Sequence, residues 1–317
     1  MTSPSDTSTP SSTNNASNPS NLSQNGPSED TNDSMPALRV DPARLSTLTA
    51  NISSIRSRIA AALPKSSNSN SPSRQPRLVA VSKLKPATDI YALLQQQPEQ
   101  EGQRHFGENY VQELLEKSKI LWEQSDGVGK AVRWHFIGGL QSNKATQLAR
   151  ECRGLWCVES VDSMKKARGL EKGWGERIWK TEDVEGNDDG RLRVIIQVNT
   201  SGEENKSGVE PESKELVELA RCVVDECKGL RLAGLMTIGA IARSRAAKEG
   251  EENEDFEKLK DVRGWLAKEL GWEEEKLELS MGMSEDFESA VRLGSSEVRI
   301  GSTIFGERPP KAEAKVV

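Results

Sequence analysis

Ligands for a transition metal are scarce in this chain: 317 residues contain two histidines, His105 and His135, and four cysteines, Cys152, Cys157, Cys222 and Cys227. No Cys-x-x-Cys pair occurs, so neither a zinc site nor a disulfide framework is expected. Four reduced thiols packed as small hydrophobes suit a reducing compartment. Long apolar runs are missing as well: no window approaches ~18 consecutive apolar residues, the length a membrane-spanning helix needs. The chain opens without the basic-then-apolar order of a secretory signal. Its first arginine is Arg39, preceded by Asp6, Glu29, Asp30 and Asp33, which disfavours a mitochondrial presequence. A cytoplasmic protein is the expectation, with a mitochondrial pool left open. Positive charge is in deficit too: 43 Lys and Arg against 49 Asp and Glu leave a net −6. No general nucleic-acid-binding face is expected, and cationic character is confined to a local pocket.

Residues 1–36 are nearly devoid of apolar side chains, with Met1, Ala16, Leu22 and Met35 the exceptions. Such a composition cannot bury enough surface to offset the cost of ordering it. Residues 1–37 are therefore expected to be a disordered tail, and 311–317 a disordered end. Between them, residues 38–310 suffice for one large α/β domain. It begins with a helix over Asp41–Leu63. Asp41 suits the cap and Pro42 the first turn, and Leu45, Leu48, Ile52, Ile55 and Ile59 recur every three or four residues along one face. A polar link, "PKSSNSNSPSRQP", follows.

From Leu78 onward a rhythm of strand then helix sets in. Strands are read at "LVAVSK", "RHFGEN", "VRWHFIGGL", "LWCVESV", "RLRVIIQVNT", "LRLAGLMTIG", "KLELSMG" and "EVRIGSTIFG", with helical periodicity between them. Strands separated by helices pair in parallel, and eight such units match a (β/α)₈ TIM barrel. An open doubly wound sheet is the competing arrangement. It has fewer strands and a glycine-rich first turn, whereas "LKPATD" contains no glycine. Two charged stretches, near 180–190 and 242–254, interrupt the rhythm and read as solvated loop inserts.

The chemistry of a barrel gathers at the C-terminal ends of its strands. In "LVAVSK", Val79, Val81 and Lys83 share one parity, so if the valines face the barrel interior the lysine sits at its upper rim. Partial desolvation there disfavours the ammonium, and the neutral amine is the form that condenses with a carbonyl. The alternative is a lysine that merely leads the chain out to water. At the other end of the chain, "LSMGMSED" places Gly282 and Ser284 before a helix, and "VRIGSTIFG" ends a strand with Arg299, Gly301 and Ser302. Glycines allow close backbone approach, and hydroxyls, guanidinium and helix N–H groups bond anions. The loops after strands seven and eight commonly hold phosphate in barrels. An amine facing a phosphate pocket fits pyridoxal 5′-phosphate (PLP), which offers an aldehyde at one end and a phosphate at the other.

Together "LVAVSKLKP", "HFGENYVQE", "WHFIGGLQSNK", "NTSGEENKSG", "GLMTI", "LSMGMSEDFESAV" and "VRIGSTIFGER" resemble the pyridoxal phosphate homeostasis protein family, in order from about Leu78 to Arg308. The resemblance implies a single-domain, PLP-binding barrel like the N-terminal domain of alanine racemase, with PLP held as an aldimine on Lys83. It also implies a phosphate region at Ser284, Arg299, Gly301 and Ser302. Asn109, His135 and Asn199, at or near strand ends, are read either as pocket lining or as structural hydrogen-bonding groups. Met236 either touches the cofactor ring or fills the core. His105 is read as structural, and Lys206 as a second docking amine or a solvated one. A racemase needs an acid/base group on each side of Cα. The only tyrosines, Tyr91 and Tyr110, are not obvious candidates for the second. The expectation is a non-enzymatic, monomeric PLP carrier that supplies apo-enzymes. A PLP-dependent racemase or lyase is the alternative, and a phosphosugar-binding barrel with a structural Lys83 a third reading.

Overall fold

The computed structural model of the chain describes residues 38–64, 75–95, 102–125, 127–180, 189–203, 205–240 and 253–317. The expected tail over 1–37, most of the link after the first helix and most of both charged inserts lie outside the described residues. The first helix, α1 (Pro42–Ala62), starts where Asp41 accepts a hydrogen bond from the Ala43 N–H, with proline in its first turn. Leu48, Ile52, Ile55 and Ile59 form its buried face.

Eight parallel strands follow and close on themselves in chain order. They are β1 (Arg77–Val81), β2 (His105–Glu108), β3 (Arg133–Phe136), β4 (Leu155–Val161), β5 (Leu192–Gln197), β6 (Leu230–Met236), β7 (Glu278–Ser280) and β8 (Glu297–Ile300). The helices between them are α2 (Ala87–Leu94), α3 (Val111–Gln124), α4 (Ser142–Glu151), α5 (Met164–Gly175), α6 (Lys214–Arg221), α7 (Glu254–Leu270) and α8 (Phe287–Arg292), with a last short helix α9 (Ser302–Phe305) after β8. The chain is thus a (β/α)₈ barrel and not an open sheet.

Differences from the sequence reading are local. The helical stretch after β5 is not one regular helix: α6 stops at Arg221 and continues as one π-turn over Cys222–Glu226, where the Cys227 N–H reaches back to the Cys222 carbonyl. Residues 284–286 precede α8 as a turn, because the Asp286 carboxylate accepts from the Met283 N–H. The C-terminal stretch expected to be disordered is held in place. Lys311–Glu313 forms a 3₁₀ turn, the Lys311 ammonium lies 4.2 Å over the Tyr110 ring, and the Val316 carbonyl accepts from Ala87 N–H at 2.7 Å.

The main apolar core lies between the barrel wall and its helices. Leu78 and Ala80 belong to it, while Val79 and Val81 point the other way, inward. A smaller apolar cluster of Trp156, Cys157, Ile195, Ala233 and Met236 is separate from that layer. Much of the remaining interior is polar. Arg77 and Arg193 cover Trp156 with guanidinium carbons 4.6 and 4.3 Å from the ring and both pair with Glu278.

Candidate functional site at the barrel mouth

Closure of the sheet is what assembles the site. β1 and β8 are neighbours, with Val79 opposite Arg299 and Ala80 opposite Ile300. Continuing past both strand ends, Lys83 and the Gly301–Ser302 turn emerge on the same side of the barrel mouth. Gly301 is packed so closely that a Cβ there would lie 2.7 Å from an Arg308 guanidinium nitrogen and 3.3 Å from Val81. The β7 loop joins in: Gly282 takes a φ of 96°, open to glycine alone at low cost, and the Ser302 hydroxyl bonds the Ser284 hydroxyl at 3.3 Å.

Lys83 is half-buried. Among the described residues its amine makes no hydrogen bond or ion pair. Burial, then the positive charge of Arg308, pushes its pKa below the ordinary lysine value, while Glu108 and Glu113 pull it back up. Arg308 likewise makes no ion pair among the described residues, and partial burial lowers its pKa. Two cations without ion pairs of their own among the described residues thus lie near one another, with Arg308 packed against Gly301. The Asn109 side-chain amide oxygen, Oδ1, is also buried without a partner, an orphaned acceptor just past the end of β2.

Other residues singled out by the sequence go elsewhere. Among the described residues the Arg299 guanidinium bonds neither Ser284 nor Ser302. It shares the inward parity of Val79 and is held inside the barrel by the Ser280 hydroxyl and, at 2.7 Å, the Thr237 carbonyl. Met236 is fully buried in the small apolar cluster. His135 is not at the mouth. Its Nδ1 meets Glu159 at 2.7 Å and its Nε2 meets His105 Nδ1 at 2.8 Å, while His105 Nε2 faces an Arg133 guanidinium at 3.2 Å. Since arginine only donates, His105 Nε2 must accept. Its Nδ1–H then donates to His135, whose own Nδ1–H donates to Glu159. Burial keeps both rings neutral, pushing His135 down to about 3 and His105 further. Asn199 braces its own loop through the Glu203 carbonyl and the Ser201 hydroxyl. Lys206 is occupied by Glu203 at 3.0 Å and the Gly239 carbonyl at 2.6 Å, so it offers no free amine. These loops line a cavity of about 220 Å³ together with Gly139, Gln197 and Thr237.

Sequence reasoning gave no role to Arg308, the last residue of the quoted "VRIGSTIFGER". It also missed the support behind Lys83, built from Ser82, Glu108, Glu113 and Lys117.

With that geometry in view, the likenesses to known proteins are informative. The family profile described as "Alanine racemase, N-terminal domain" matches residues 44–309. The pyridoxal phosphate homeostasis protein of Caenorhabditis elegans is 46% identical over 235 residues, covering 74% of this chain and 87% of the relative. The chain belongs to the pyridoxal phosphate homeostasis protein family. The Homo sapiens member is 43% identical over 240 residues, which span 75% of this chain and 78% of that one. PipY of Synechococcus elongatus PCC7942, a solved structure with PLP bound, is 29% identical with a TM-score of 0.56, covering 82% of this chain and all of PipY. Homeostasis-family membership and the barrel thus agree with the resemblance read from the motifs. Among the described residues no helix is long and apolar enough to cross a membrane.

Proposed function

We propose that this member of the family is a PLP carrier: it takes up PLP covalently on Lys83, keeps the free cofactor low and yields it to apo-enzymes in the cytoplasm, as a monomer and without turnover of its own. The observation that carries the reading is the unpartnered Lys83 amine, placed by the β1–β8 closure beside the Gly301–Ser302 turn and Arg308. The residues present fit PLP. When bound, the cofactor supplies an aldehyde that condenses with a neutral amine, and a dianionic phosphate.

On the protein's side, burial of Lys83 raises its share of neutral, nucleophilic amine at a given pH. Ser284 and Ser302 offer hydroxyls, Gly301 leaves room for close approach, and Arg308 adds a charge-assisted donor. Asn109 has an acceptor free for a donor on the ligand. Arg299 is anchored inside the barrel by Ser280, which pairs with Met236 across β6 and β7, and by the Thr237 carbonyl. The direct test is the absorbance spectrum of the protein titrated with PLP. An imine band should form in the wild type and be absent in Lys83→Ala; an unchanged band in the variant would defeat the covalent assignment. Incubation with L-amino acids decides against the racemase or lyase reading if turnover stays well below about 1 s⁻¹.

A further inference from the structure

Behind Lys83 lies a buried charge cluster that the proposed chemistry does not itself use. Lys117, on α3, is fully buried, and all three of its amine donors are taken: the Ser82 carbonyl at 2.8 Å, Glu108 at 2.8 Å and Glu113 at 2.6 Å. A lysine with no contact to water is rare and must be paired. The Ser82 hydroxyl donates to the same Glu108 oxygen at 2.6 Å, and the Glu113 oxygen that meets Lys117 also accepts from the Leu84 N–H at 2.6 Å. Leu84 stands at φ 61°, a left-handed conformation costly for a branched side chain.

The consequence is specific. The Ser82 carbonyl and the Leu84 N–H belong to the two peptide groups flanking Lys83. Both are gripped by this cluster, one by Lys117 and the other by Glu113. We propose that Glu113 and Lys117 are positioning residues that clamp both peptide groups around Lys83, holding the chain in its left-handed turn so that the amine faces Arg308 and Gly301. The clamp rests on the reading of Lys83 as the PLP-bearing amine.

The charged groups facing Lys83 are Arg308 from the C-terminal segment, Glu108 from β2 and Glu113 from α3. Glu113 is the member to change, because its side chain is the one at the cluster's edge, 12% exposed. Glu113→Gln keeps an oxygen for the Leu84 N–H and removes the charge; Glu113→Ala removes both. Two measurements need no PLP: hydrogen exchange at the Leu84 amide, and the pH profile of Lys83 methylation by formaldehyde with cyanoborohydride, resolved by mass spectrometry.

In the wild type the Leu84 amide should exchange at least 100-fold slower than an unprotected amide. In Glu113→Gln the midpoint for Lys83 methylation should move to lower pH, with PLP affinity within threefold of wild type. In Glu113→Ala PLP affinity should fall at least tenfold below Glu113→Gln, with a cooperative melt retained. Free exchange at Leu84, an unmoved Lys83 midpoint in Glu113→Gln, or equal PLP affinity in the two variants would overturn the clamp. If Glu113→Ala does not fold, the first two readouts decide. A wild type that takes no PLP on Lys83 would defeat the earlier reading, leaving the PLP-free readouts to judge the clamp separately.

Discussion

A guanidinium and an ammonium close together raise each other's free energy, and an anion placed between them relieves both. That is the physical role assigned to Arg308, which approaches Gly301 and lowers the pKa of Lys83. A charge-assisted hydrogen bond to phosphate contributes about 1.5–3 kcal/mol. Arg308→Met should therefore weaken PLP binding by roughly 10- to 100-fold, read by titration of the apo-protein, while leaving the melting temperature of that apo-protein nearly unchanged. Gly301 is predicted to be intolerant for a different reason. A methyl group there must displace Arg308 or Val81, so Gly301→Ala should lose PLP affinity in parallel with Arg308→Met. Lys83 was legible because a lysine ending a buried apolar strand breaks the pattern visibly. Arg308 was not, because an arginine beside two prolines near a chain end looks like any solvated residue. Lys117 was hidden for the same reason: in "EKSKI" it reads as the wet face of an amphipathic helix, and only its triple coordination shows otherwise.

At the level of elements, α1 is part of the site's foundation. Its Asn51 donates to the Ile304 carbonyl and its Arg44 to the Phe305 carbonyl, at 2.9 Å each, fixing the C-terminal end of α9 whose first residue is Ser302. Arg44 also pairs with Asp89 on α2 at 2.6 Å. Truncating Asn51 to alanine should cost about 1 kcal/mol of stability, seen as a lower urea midpoint, together with a several-fold loss of PLP affinity. Ile55→Ala, at a fully buried position of the same helix, should cost about 2–5 kcal/mol in the same assay. The strands were readable because parallel strands buried on both faces give near-continuous apolar runs. The short turn before α8 and the π-turn after α6 were not readable, since each depends on local hydrogen bonds rather than on periodicity.

Across the whole molecule, the barrel interior is where sequence patterning said least. His135, Glu159, Glu297 and Arg299 lie within strands and join into one buried network through Ser280, yet in the sequence they look like interruptions of apolar runs. Titratable groups of the strands, in this network and outside it, give the protein a signed response to acid. His135 is held down to about 3 in the folded state against an ordinary 6.5, and Glu278 down to about 2 against 4.5. Both groups bind protons more readily when unfolded, so the stability they contribute is present at neutral pH and is lost as pH falls below about 6.5 and then 4.5. Glu108 has the opposite sign. Burial pushes it up to about 7 from 4.5, so its contribution is largest at low pH and is lost as pH rises through 7. As pH falls from 7 to 4.5 the urea midpoint of Glu108→Gln should drop relative to that of the wild type, because the variant lacks the opposing group; parallel curves would contradict the assignment. The central claim, that one amine at the barrel mouth carries the cofactor, is tested most directly by mixing the protein with PLP, reducing it with borohydride and mapping the modified peptide by mass spectrometry. The account predicts one pyridoxyl group, on Lys83; an adduct confined to other lysines, or none, would contradict it.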